Sequence, residues 1–219
     1  MYGLDHSVAA LVEVDRQIRG FQERHPNRFH FTMISDHGDT HRTAELVDPA
    51  EALREVGVDV VDALSEQSRL EAVPIIHVRV NYVALHTHAD RIAAVAERAS
   101  RHRWVDLAVA PLADEVVEGG SARRYGVWRA GQRLEFVRTT AGDVIVDDAA
   151  AWREIGVDLG AYDAARLSDR VAFDRTRQGP WPDLFQRIDA AFTNPAVDIP
   201  ADVILSLRDD VASFGFRLP

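Results

Sequence analysis

The sequence predicts one α/β domain built in layers. Two observations carry that prediction. Apolar residues recur at helical spacing in some stretches and as short, β-rich runs in others, and the two kinds of stretch alternate along the chain. The chain has 219 residues and is 47% hydrophobic, enough to bury a real core. No internal repeat, low-complexity tract or linker is read in it, so residues 1–219 are taken as a single domain. One antiparallel hairpin, residues 115–138, is expected as an insertion within it.

The elements follow in order. Val8, Leu11, Val12, Ile18 and Phe21 recur at three- and four-residue steps and predict a helix over about 7–24, broken by His25-Pro26-Asn27. Asp15 falls on the same stripe, where a carboxylate needs a partner. Arg28 to Ser35 (RFHFTMIS) reads as a buried strand. Asp48-Pro49-Ala50-Glu51 is a helix start with Asp48 as cap, and Gly57 is its stop. Val58–Leu64, Ala72–Val80 and Tyr82–His86 read as strands. Thr87 or Asp90 caps a helix to about Arg103, and Val105–Ala110 is again strand-like. Gly119-Gly120 and Ala130-Gly131-Gln132 are turns, the second flanked by Arg123–Trp128 and Leu134–Arg138. Asp147–Ile155 and Pro182–Phe192 are helices, and Asp202–Leu207 is a last buried strand.

Composition excludes several chemistries. Lys+Arg is 25 against Asp+Glu 35, a net charge of −10, which argues against nucleic acid as a partner. All the basic residues are Arg, so lysine Schiff bases and P-loops are ruled out. There is no Cys, which removes disulfides, thiolate nucleophiles and zinc–thiolate sites. No apolar run reaches the roughly 20 residues of a membrane span, and residues 1–15 lack the pattern of a signal peptide. The expectation is a cytoplasmic protein that meets no membrane.

The strongest site candidate is Ser35-Asp36-His37-Gly38. Asp36 and His37 sit where a buried strand should end, which in parallel sheets is where ligands bind. A carboxylate beside an imidazole offers one hard oxygen and one borderline nitrogen to a divalent metal. The alternative is a capping Asp and a surface His. Asp39 and His41 would extend the site or are loop residues. His86 and His88 would share a strand face and chelate one ion, or else mark a strand-to-helix junction. Asp5-His6 and Asp15 are further acidic positions near the start. Arg123-Arg124 and Arg101-His102-Arg103 would meet a phosphate or form solvated charge pairs.

With these residues in view, the chain resembles the alkaline phosphatase superfamily, type I phosphodiesterase/nucleotide pyrophosphatase-like branch. FTMISDHGDT (31–40) is similar to that branch's metal-binding strand end. The helix before it, with Ala9-Ala10-Leu11, Asp15 and Ile18, resembles the family helix ahead of that strand. Asp48–Gly57, Val105-Asp106-Leu107 with the following hairpin, WPDLF (181–185), and the stretch from Asn194-Pro195 to Leu207 resemble later family segments. The resemblance implies an α/β/α sandwich of alkaline-phosphatase type with a small antiparallel β insertion, and a hydrolase using two divalent metals, usually zinc. Carried over, Asp36 and His37 are ligands of one metal. The substrate implied is a phosphate ester or nucleotide-like small molecule.

The departures bear on activity. The family's Thr or Ser nucleophile and first Asp belong well upstream of the DHG strand. No D-x-x-x-H precedes the first helix, and no G-x-H-G follows Leu207. The chain therefore reads as a middle-to-late segment of a metal-dependent phosphoester hydrolase, incomplete in its sheet, inactive alone and prone to self-association through exposed edges. The alternative is a non-catalytic binding or scaffolding protein on a decayed hydrolase fold. Sulfatases and cofactor-independent phosphoglycerate mutases share the superfamily, but sulfatases need an oxidised Cys or Ser.

Overall fold

A computed structural model describes residues 4–26, 44–65, 70–76, 80–117, 120–160 and 164–213. The chain divides into two units, Met1–Thr43 and Ala44–Pro219. The described part of the first unit is helix α1 (Leu4–Arg24) with the two residues that follow it. Its surface carries i,i+3 and i,i+4 ion pairs. Glu13 accepts from Arg16 and Gln17, which hold its carboxyl down at about 2. Asp15, expected on a buried stripe, is half-exposed and takes its partner one turn on, Arg19, at 2.6 Å. The strand read over residues 28–35 lies outside the described residues.

The second unit runs β1 (Glu45–Val47), α2 (Pro49–Glu55), β2 (Asp59–Val60), β3 (Glu71–Ile75), β4 (Tyr82–His86) and a 3-10 turn (Ala89–Arg91). It continues through α3 (Ile92–Ser100), β5 (Val105–Val117), β6 (Gly120–Arg129), β7 (Gln132–Thr139), β8 (Val144–Val146) and α4 (Ala149–Glu154). It closes with β9 (Ala165–Leu167), α5 (Asp169–Thr176), α6 (Leu184–Thr193), β10 (Val203–Leu207) and β11 (Val211–Ser213). Among the described residues no helix is long and apolar enough to cross a membrane.

Nine strands form one mixed sheet in the order β2-β3-β4-β10-β5-β6-β7-β8-β9. Only β2–β3 pairs in parallel; every other neighbouring pair is antiparallel. β1 and β11 pair in parallel as a separate ribbon. Strand ends on one edge of this sheet therefore alternate between amino and carboxyl ends, unlike the parallel arrangement behind the expected ligand edge. The stretch read as an inserted hairpin supplies β6 and β7, which continue the sheet directly from β5. Its turn is built for that. Ala130 (φ 50°) and Gly131 (φ 85°) both sit at positive φ between paired Arg129 and Gln132, a two-residue loop of the primed kind whose twist matches the strands.

Helices cover both faces. Alternation along β5 sends Ala108 and Ala110 to one core and Leu107 and Val109 to the other. The first core takes Leu53 from α2 and Val95, Ala96 and Ala99 from α3 against β3, β4, β5 and β10. The second takes Trp152 from α4, Ala172 from α5 and Leu184, Phe185, Ile188 and Phe192 from α6 against β5–β8. Small residues let α3 approach the sheet closely. On the other face Tyr125, Phe136, Trp152 and Phe185 meet ring to ring, with centroids 4.9–6.1 Å apart.

Local signals account for most boundaries. Asp48 accepts from the amide of Ala50 and starts α2, with Pro49 at the first helical position. α2 ends in a Schellman motif: Val58 N–H donates to Leu53 and Gly57 N–H, at φ 80°, to Arg54. α4 is the same device. Asp148 caps it, Val157 N–H donates to Trp152 and Gly156 N–H, at φ 97°, to Arg153. The sequences agree as well: VDPAEALREVGVDV (47–60) recurs as VDDAAAWREIGVDL (146–159). An internal repeat is therefore present: one short capped-helix module is used twice, 99 residues apart.

Three expected boundaries differ. Only Asp59–Val60 of the stretch 58–64 is strand, because pairing with β3 ends there. β3 is Glu71–Ile75, starting one residue before the expected Ala72, and residues 77–79 of the expected strand lie outside the described residues. Neither Thr87 nor Asp90 caps α3, which is led instead by the 3-10 turn.

Candidate functional site

Asp36 and His37, with Asp39 and His41, lie outside the described residues, and Asp5 and His6 lie in the first turn of α1. Among the described residues no three His, Cys, Asp or Glu side chains converge as a metal would require.

The second histidine pair is placed at the end of β4. His86 Nδ1 is 3.5 Å from Asp202 Oδ2, which also accepts the amide of Thr87 at 2.9 Å. The Thr87 hydroxyl is buried and donates to the carbonyl of Glu71 at 2.6 Å. Glu71 is itself 4% exposed and accepts from both the amide and the hydroxyl of Ser65. These bonds tie the ends of β3, β4 and β10 together across 115 residues of sequence. His88 heads the 3-10 turn, and its Nε2 is closed off without a hydrogen-bond partner. Of the two imidazoles, His86 serves this junction through Asp202.

The arginine runs are ion-paired except at Arg103. Arg123 donates to Asp114 at 2.7 Å, and Arg124 joins Glu115 and Glu135 on the other face of β6. Arg101 pairs with Glu97, and Arg103 lies over the Trp104 ring at 5.2 Å. His102 is buried, accepts the amide of Trp104 on Nδ1 and faces Glu55 with Nε2 at 3.0 Å. That bond fixes the end of α3 to the end of α2.

One polar cluster was not anticipated. In β7, Leu134, Phe136 and Arg138 share a parity, so the arginine enters the apolar face and is only 8% exposed. Arg138 Nε is ion-paired with Asp189 of α6 at 3.3 Å, and Nη2 donates to Asp169 of α5 at 3.0 Å and to Gln186 of α6. Tyr125 O–H donates to the other oxygen of Asp189 at 2.6 Å. Burial first, then that bond and the Asp189 charge, pushes the Tyr125 phenol well above its ordinary range. Asp114, Arg123 and Arg138 stand opposite one another across β5, β6 and β7. Two like charges side by side are tolerated because each has its own carboxylate.

This cluster walls a cleft of about 650 Å³ beside the ends of β5–β7, lined by Asp114, Arg123, Arg138, Thr140, Gln186 and Asp189 among others. Chemically the cleft is spent. Asp114, Glu115 and Asp189 are each taken by a guanidinium or a phenol. Among the described lining residues no carboxylate is left as a base, and the arginines are paired with acids. The signal that would have found the cluster is the charged residue at an inward parity; the identity of its partners, from two distant helices, is not encoded locally.

No protein-family model matches the chain, no curated protein matches it, and no solved structure matches it.

Proposed function

We propose that the chain carries part of a metal-dependent phosphoester hydrolase of the alkaline phosphatase superfamily, close to its phosphodiesterase/nucleotide pyrophosphatase branch, with Asp36 and His37 as zinc ligands and without the family's nucleophile. The carrying observation is FTMISDHGDT (31–40), an apolar run that ends in adjacent Asp, His and Gly. Helices on both faces of one sheet support the reading, since an α/β/α sandwich is the architecture the resemblance implies. The Asp36 carboxylate and the His37 imidazole are donors that suit zinc, and Gly38 leaves the backbone free to turn beside them. A bound divalent ion supplies Lewis acidity toward a phosphoryl oxygen. The substrate proposed is a phosphate ester or nucleotide-like small molecule.

A second reading, a non-catalytic binding or scaffolding protein, is favoured by how the described acids and imidazoles are used. His86, His102, Asp189 and Asp202 are all committed to joining structural elements.

The test is zinc content after dialysis, together with hydrolysis of p-nitrophenyl phosphate and its bis-ester, in the wild type, Asp36→Ala and His37→Ala. Retained zinc that both substitutions release is the expected result, with little or no hydrolysis by the chain alone because the family's nucleophile is not found in it. Hydrolysis indifferent to Asp36→Ala removes that carboxylate from the mechanism. A cooperative melt with no retained metal and no turnover makes the binding protein the better reading.

A further inference from the structure

We draw no further inference here: the strongest candidate, the cleft beside the β5–β7 strand ends with Arg138 in its wall, belongs to the site already described, and the buried donor without a hydrogen bond among its described residues, Arg138 Nη1, is shut off from solvent, so nothing in the structure shows what ligand would fill it.

Discussion

Two copies of one short module sit on opposite faces of the same sheet and are finished differently. In residues 47–60 the helix α2 buries Leu53 in a core that is aliphatic apart from Trp128. In residues 146–159 the helix α4 puts Trp152 at the aligned position, and it packs edge-on to Phe136 and Phe185. The glycine stop and the valine that follows are shared, and each helix is capped by an aspartate, Asp48 and Asp148, one position out of alignment. The module's ends are thus a local matter, while its middle is tuned to whichever core it meets. The aliphatic half relies on close approach of small residues to the sheet. The aromatic half fills a deeper space and encloses one guanidinium.

The largest test of this contrast is truncation at the aligned pair. Trp152→Ala is expected to cost about 3–5 kcal/mol and Leu53→Ala about 2–4 kcal/mol in denaturant unfolding. The indole also donates from Nε1 to the carbonyl of Glu135, at 3.3 Å. If Trp152→Ala costs no more than Leu53→Ala, the aromatic half is not the more tightly filled one.

Next comes the buried charge. Arg138→Met should destabilise by roughly 3 kcal/mol, because Asp189, largely buried, loses its cation. Adding Asp189→Asn to that variant should recover part of the loss. No recovery in the double variant would mean that Arg138 acts through its packing alone.

The glycine stops are expected to be matched. Gly57→Ala and Gly156→Ala each force an L side chain to positive φ, a cost of about 1–2 kcal/mol. A Cβ at Gly57 meets open space, whereas at Gly156 it comes 3.4 Å from Pro180. Gly156→Ala should therefore cost as much or slightly more. A clearly larger loss at Gly57 would separate the two modules.

The smallest effect is seen in alkali. A phenol whose folded pKa is raised stabilises the fold fully below the unfolded value of about 10 and loses that contribution as pH rises toward the folded value. Absorbance titration should therefore show one late phenol that ionises only as the protein unfolds. That late step should vanish in Tyr125→Phe. An unchanged titration curve in that variant would show that Asp189 does not hold Tyr125 protonated.

Much of the secondary structure was legible because its causes lie within a few residues. Asp48, Pro49 and Gly57 specify α2 through backbone donors and acceptors they meet directly. Tyr82–His86 is strand from end to end as read, and Ala130-Gly131 turns where its positive φ values require. No element is predicted between Ile155 and Pro182, although Ser168 at a helix start, accepting from Val171, is a signal of the same kind for α5. The candidate metal residues Asp36 and His37 rest on the sequence motif. By contrast, the bond from Thr87 to Glu71 and the cluster around Arg138 depend on partners far along the chain, and no local pattern names them.

By itself, the sequence determined a mixed α/β chain, the positions of its caps and turns, an acidic and cysteine-free chemistry, and the one motif that suggests a metal. Tertiary structure decided the rest. β10 enters between β4 and β5 and makes the sheet antiparallel there, and the hairpin strands become part of that sheet. The physical reason is reach. Caps and turns are fixed by hydrogen bonds over four or five residues, whereas strand order is fixed by which apolar faces can be buried together once the whole chain has closed.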